Sequence, residues 1–160
     1  MRIRLNPLLR AATAALCLAI SAAPAFAQTT RQREARGDAV VRSLNGGASQ
    51  PVLERMRSEF PFLAEATEAY ALGDVWSRRI LDDRTRQLAA VAAFAALGEP
   101  AFLKVHASYA LNIGVTEEQL KEIVYLTTVT AGFPKAIAAS QALSELFGER
   151  RAARAEGPLP

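Results

Sequence analysis

Apolar residues recur at intervals of three and four along most of this chain, and strand-like alternation is scarce. The pattern predicts helices throughout. After Pro61, Leu63, Ala66 and Tyr70 fall at helical spacing, and Gly73-Asp74 is a natural stop. Asp82 or Asp83 can cap a helix in which Leu88, Val91, Ala92 and Ala95 follow i, i+3, i+4, i+7, with Gly98 as its terminator. Pro100 opens the next helix, with Phe102, His106 and Ala110 one turn apart on one face, and Asn112-Ile113-Gly114 ends it. Thr116-Glu117-Glu118-Gln119 is a capping box: the threonine hydroxyl accepts the Gln119 amide proton and the glutamine side chain reaches back. Its two carboxylates also suit the positive end of the helix dipole. Leu120, Ile123, Val124, Thr127 and Ala131 form the apolar stripe of that helix. Pro134 starts a last helix, expected to run to Phe147 and stop at Gly148. The expected fold is an all-α bundle of short helices, with a helical hairpin around Gly114.

The flanks read differently. Residues 28–51 are polar: an Arg-rich stretch to Leu44, readable as a loose helix, then the linker Asn45-Gly46-Gly47-Ala48-Ser49-Gln50-Pro51. Residues 52–148 make the helical domain. Residues 149–160 are charged and end in proline, which predicts a disordered tail. At the other end, Arg2, Arg4 and Arg10 precede an apolar run from Ala11 to about Ala23, and Ala25-Phe26-Ala27 is a small-x-small cleavage site. These are the parts of a secretion signal at residues 1–27, cleaved after Ala27. The apolar run is short for a membrane span, which needs roughly 20 residues. The expected location is periplasmic or secreted.

That segment changes the charge. It holds three of the 19 Lys and Arg and none of the 16 Asp and Glu, so the chain from Gln28 onward carries 16 of each. No basic field remains to attract nucleic acid or an anionic membrane. The only cysteine, Cys17, also lies in the segment, so the remainder has no disulfide and no thiol nucleophile. One histidine cannot build a multi-histidine metal site, and no phosphate-binding glycine loop or GxSxG serine is present. Neither metal nor cofactor is expected.

His106 is therefore the one side chain whose unperturbed pKa lies near neutrality. It sits eight residues before Gly114, and Glu122 sits eight after it. In an antiparallel hairpin both would stand about 12 Å from the turn, at 1.5 Å per residue. A carboxylate facing the imidazole would hold the ring and raise its pKa. The plain alternative is a solvated face carrying Glu118, Glu122 and Val129, with an ordinary surface histidine.

Five blocks in order carry a resemblance. They are Tyr70-Ala-Leu-Gly-Asp-Val-Trp76, Leu81-Asp-Asp-Arg-Thr-Arg-Gln-Leu88, His106-Ala-Ser-Tyr-Ala-Leu-Asn-Ile-Gly114, Thr116-Glu-Glu-Gln-Leu-Lys-Glu-Ile123 and Ala131-Gly-Phe-Pro134. Together they resemble the carboxymuconolactone decarboxylase family, of the alkylhydroperoxidase D-like fold, over roughly residues 60 to 147. The resemblance implies an all-helical protomer, assembly into homotrimers or hexamers, and sites near subunit interfaces. One branch of that fold reduces peroxides through a CxxC. Here Phe102 and Glu99 stand four and seven residues before His106, and Gln87 stands where that branch has a glutamate. The sulfur for disulfide-based peroxide reduction is missing.

The other branch decarboxylates a carboxylated lactone. By resemblance His106 would be the acid that protonates carbon, Arg86 the carboxylate anchor and Glu122 the residue that orients His106. Trp76, Tyr70, Phe133 and Phe102 would wall an apolar substrate pocket. Two positions depart from the decarboxylase pattern: Thr130 replaces a tyrosine and Leu126 a glutamine. The implied function is a lyase or isomerase working by proton transfer on a carboxylated lactone or related small molecule. The other reading is an oligomeric small-molecule-binding paralogue without catalysis.

Overall fold

The structure is a computed structural model that describes residues 28–156; the expected secretion signal lies outside the described residues. Those residues form seven α-helices and one π-helical segment, with no strand among them. In chain order they are α1 (Thr30–Leu44), α2 (Pro51–Glu59), α3 (Pro61–Glu65), the π-helical segment (Ala66–Trp76), α4 (Asp83–Leu97), α5 (Pro100–Asn112), α6 (Glu117–Thr130) and α7 (Phe133–Ala155). The all-α bundle is as expected. No described helix is long and apolar enough to cross a membrane.

Local chemistry sets the boundaries. The Asp82 carboxylate accepts the Thr85 amide proton at 2.6 Å and starts α4. Gly98 ends it in the left-handed conformation, at φ 77°, which a side chain would strain. The capping box of α6 closes in both directions, Gln119 N–H to the Thr116 hydroxyl at 3.2 Å and Thr116 N–H to the Gln119 side chain at 3.0 Å. Prolines occupy the first turns of α2, α3, α5 and α7, where a missing N–H has no partner to lose.

Helices α4 to α7 share one apolar core. Val91 and Ala95 of α4, Leu103 and Ala107 of α5, Leu120 and Val124 of α6, and Leu143 and Phe147 of α7 are all buried within it. The expected stripe of α6 faces this core. The hairpin around Gly114 does not form as expected. α5 and α6 join there but do not pair along their lengths; each packs on α4 and α7 instead. Their apolar rows both point into the common core, and two helices that share such a core gain more by facing it than by facing each other.

A further expectation is corrected. α7 does not stop at Gly148 but continues to Ala155, so the described part of residues 149–160 is helical rather than disordered. Lys104 reaches Glu149 at 2.7 Å, and Arg150 donates to Asn112 at 3.0 Å. These contacts tie the extra turns to α5, and the Glu, Arg and Ala of this stretch are good helix formers. The stretch before Leu44 is a full helix, started by a capping box at Thr29 and Gln32. The row Leu63, Ala66 and Tyr70 faces outward, with Tyr70 62% exposed, while Ala64, Glu68, Ala69 and Gly73 are buried.

The inward turn of the small residues has a steric cause. α1 lies directly against the π-helical segment. A Cβ on Gly37 would overlap the carbonyl oxygen of Glu68, and one on Gly73 would overlap that of Arg33. The two backbones touch, so the small-residue face turns inward. Asp74 then clasps α1 from the side. Its carboxylate accepts from Arg33 Nε at 2.7 Å and Arg36 Nη2 at 2.9 Å. The Arg33 guanidinium holds that carboxyl below its usual range.

Candidate active site

His106 projects from the middle of α5 into a cage of rings. The Phe94 ring of α4 stacks on it at 5.1 Å between centroids, and Trp76, the last residue of the π-helical segment, lies at 5.2 Å. Tyr109, one turn along α5, meets it edge-on at 6.0 Å. Beneath these rings His106 Nδ1 lies 2.9 Å from Gln87 Oε1. Gln87 is fully buried on α4, in the same row as Val91 and Ala95. With the carboxamide in this orientation Nδ1 donates, which leaves Nε2 as the lone-pair nitrogen.

Burial alone drives the His106 pKa from 6.5 down to about 4. The resting imidazole is therefore neutral at pH 7. Tyr109 is the titratable neighbour; burial pushes its phenol up, so it too is uncharged. Its hydroxyl accepts from Gln50 Nε2 at 2.9 Å, and Asn112 donates to the Leu44 carbonyl at 3.0 Å. Through these two contacts the linker and the end of α1 are fastened to the helix that carries His106.

The expected site residues divide. Trp76 is in direct ring contact with His106. Phe102 is 53% exposed and touches only the outer ring, stacking on Phe94 at 5.4 Å. Arg86 is part-buried and its Nη2 donates to the Arg78 carbonyl, on the stretch just after Trp76. Glu122 is exposed on α6 and makes no hydrogen bond to His106. Without the hairpin nothing turns it toward the ring; the neutral Gln87 holds the imidazole instead. The expected rise in histidine pKa is accordingly reversed. Tyr70 and Phe133 are 62% and 69% exposed in this single chain.

The sequence reading missed Phe94 and Tyr109 as ring neighbours, and noted Gln87 only as a replacement for glutamate. A signal for Gln87 existed. Gln87, Val91 and Ala95 are spaced by four, so a polar side chain stands in a core row of α4. A buried polar group needs a partner, and α5 holds the one histidine.

Trp76 also lines a cavity of about 610 Å³, bounded by Arg36, Val40 and Ser43 of α1 and by Arg78, Leu81 and Asp83. The indole thus borders this cavity and also contacts the imidazole. Such a volume suits a small organic ligand.

This all-α bundle, with one part-buried histidine flanked by aromatic rings, can be set beside known proteins. A sequence profile of the carboxymuconolactone decarboxylase family matches residues 61–145, more than half of the chain. The chain belongs to that family. It is 38% identical over 78 residues to a 4-carboxymuconolactone decarboxylase of Acinetobacter baylyi, a match that covers 49% of this chain and 58% of that protein. It is 26% identical over 98 residues to an uncharacterized protein of Methanocaldococcus jannaschii, covering 61% of this chain and 91% of that one. The chain thus spans less than two thirds of the Acinetobacter enzyme. The match begins at Pro61, so α1 and α2 lie outside the family region.

Proposed function

We propose that this protein is a carboxy-lyase, or an isomerase of the same proton-transfer type, acting on a carboxylated lactone or a related small molecule. The carrying observation is the part-buried, neutral His106, held through Nδ1 by Gln87 and flanked by Trp76. Arg86 anchors a substrate carboxylate. The second reading, a binding protein without catalysis, draws support from the exposure of Glu122, which leaves His106 no ionic partner. On either reading residues 1–27 act as a secretion signal and the chain works as a homotrimer or hexamer.

A proton has to reach the imidazole before it can be given to carbon. At pH 7 a group with a pKa of about 4 is protonated about once in a thousand molecules. A carboxylate arriving within about 4–6 Å favours the charged form and raises that pKa. Substrate binding thus recruits the proton. The bond from carbon to the carboxylate then breaks, CO2 departs, and its electron pair stays on the substrate. His106 Nε2 delivers its proton to that carbon and returns to the neutral state. Apolar walls suit this step, because water would otherwise compete for the carbanion.

The test is incubation with 4-carboxymuconolactone while CO2 release is followed, using the natural chain and His106→Ala. Release that falls about 10²- to 10⁴-fold in the variant, with helicity and oligomer size preserved, supports the lyase. Tight binding with no release in either form supports the binding protein.

A further inference from the structure

Four buried side-chain polar atoms among the described residues meet no hydrogen-bond acceptor or donor: Glu68 Oε1, Trp76 Nε1, Arg86 Nε and Gln87 Nε2. The first is answered by charge, since an Arg57 guanidinium nitrogen lies 2.5 Å from it. The other three are all donors, and two of them, on Trp76 and Gln87, belong to side chains that touch His106. A donor buried without an acceptor costs about 1–3 kcal/mol. Two such donors on side chains that share one neighbour mark a place suited to an acceptor.

Two of them converge on the same imidazole. Trp76 lies tilted at 34° against the His106 ring, and the Gln87 carboxamide is already bonded to it through Oε1, which leaves Nε2 as a free donor. Both are neutral, and both N–H groups are buried. Neutral donors fixed in a dry site act most strongly on charge that develops during a reaction, because they need no reorganisation when it forms. The Trp76 indole also borders the 610 Å³ cavity next to α1, so a ligand in that cavity is one side chain from the donors.

We propose that Trp76 Nε1–H and Gln87 Nε2–H form a receptor for one ligand oxygen, the enolate oxygen created as CO2 leaves, and that the ligand reaches it from the cavity beside α1. The inference rests on reading the His106 cluster as the working site. When the carbon–carboxylate bond breaks, its electron pair forms a new carbon–carbon double bond and the adjacent carbonyl becomes an enolate. The oxygen takes the charge, and the two N–H groups hold it. Transfer of the His106 proton to carbon restores the carbonyl, so atoms and electrons balance without an oxidant or reductant. Trp76 is thereby a polar participant as well as an apolar wall.

The probe is 4-nitrophenolate, which presents an anionic oxygen on an sp² carbon as an enolate does. Trp76 is the only tryptophan, so the indole N–H gives a single nitrogen-15 NMR resonance. We expect that resonance to move downfield as phenolate is added. Trp76→Phe keeps a smaller aromatic ring against His106 and removes the indole N–H, and should weaken phenolate binding roughly tenfold or more. Gln87→Glu keeps an acceptor for His106 Nδ1–H while replacing the donor, and should weaken it at least as much. Circular dichroism checks that both variants fold. An indole resonance unmoved at saturating phenolate, no phenolate binding, or equal affinity in Trp76→Phe each overturns the receptor. CO2 release is measured separately. Phenolate held through Trp76 with no turnover keeps the receptor and removes the lyase; turnover undiminished in Trp76→Phe removes the receptor and keeps the lyase.

Discussion

The α1–π-helical pair and the α4–α7 bundle are both all-helical, but they cohere by different physics. The first brings two backbones into contact at Gly37 and Gly73 and clasps them with Arg33, Arg36 and Asp74. Its buried apolar residues are few: Val41 and Leu44 on α1, and Ala69 on the π-helical segment. The second fills its centre with Val, Leu, Ala and Phe from four helices. An apolar core tolerates small changes of shape, whereas a backbone contact tolerates no added atom. The candidate site sits on the seam, with Trp76 from one side and Gln87, Phe94 and His106 from the other. Movement of either region against the other changes the ring cage directly. π-Helical turns are rare and recur at functional sites, and here the segment ends on the residue that touches the imidazole.

The largest expected effect probes the seam itself. His106→Ala removes the proton carrier and should lower CO2 release about 10²- to 10⁴-fold in a steady-state assay. The pH profile sharpens this. If the free enzyme must take up a proton at a pKa of about 4, kcat/KM falls about tenfold per pH unit between roughly pH 5 and 8. A flat profile over that range would instead make the neutral ring a base.

Next is acid stability of the bundle. The folded-state pKa of His106 lies below its unfolded value, so between about 6.5 and 4 the unfolded chain binds more protons. Stability is therefore full above pH 6.5 and is lost as pH falls through that window, by about 3 kcal/mol for a shift of this size. Urea titrations of the natural chain and His106→Gln should diverge there and run parallel above pH 7. Identical acid sensitivity would mean that the imidazole is solvated.

Smaller still is the effect on the first region. Gly37→Ala or Gly73→Ala forces the backbones apart at a cost of about 1–3 kcal/mol. Amide hydrogen exchange should rise in α1 and the π-helical segment and stay low in α7. Uniform acceleration would erase the distinction between the regions. Smallest is Thr116→Ala, which removes the cap of α6 for about 1 kcal/mol and lowers the melting temperature without touching the ring cage.

The bundle was legible because its helices carry their own punctuation. Asp82, Gly98, Pro100, Thr116 and Pro134 act within a few residues of where they stand. The His106–Glu122 pairing was not legible, since equal distance from a turn fixes height but not rotation about the helix axis. The inward face of residues 64–73 was hidden for another reason. Hydropathy favours burying Leu63 and Tyr70, but only a face of glycine and alanine admits a second backbone. Gly148 misled because a glycine interrupts a helix only weakly when neighbouring turns are held by contacts such as Lys104–Glu149. The ring cage combined residues from three elements, and nothing in the chain order announces that Trp76 and Phe94 bracket one imidazole.

The contact between α1 and its partner leaves a mark that can be searched for. Positions 37 and 73 admit no substituent larger than hydrogen. A chain that places the same leading helix against this family region should show the glycine pair even where every other residue of that helix has drifted. Bulkier residues at both would signal that the leading helix has docked elsewhere.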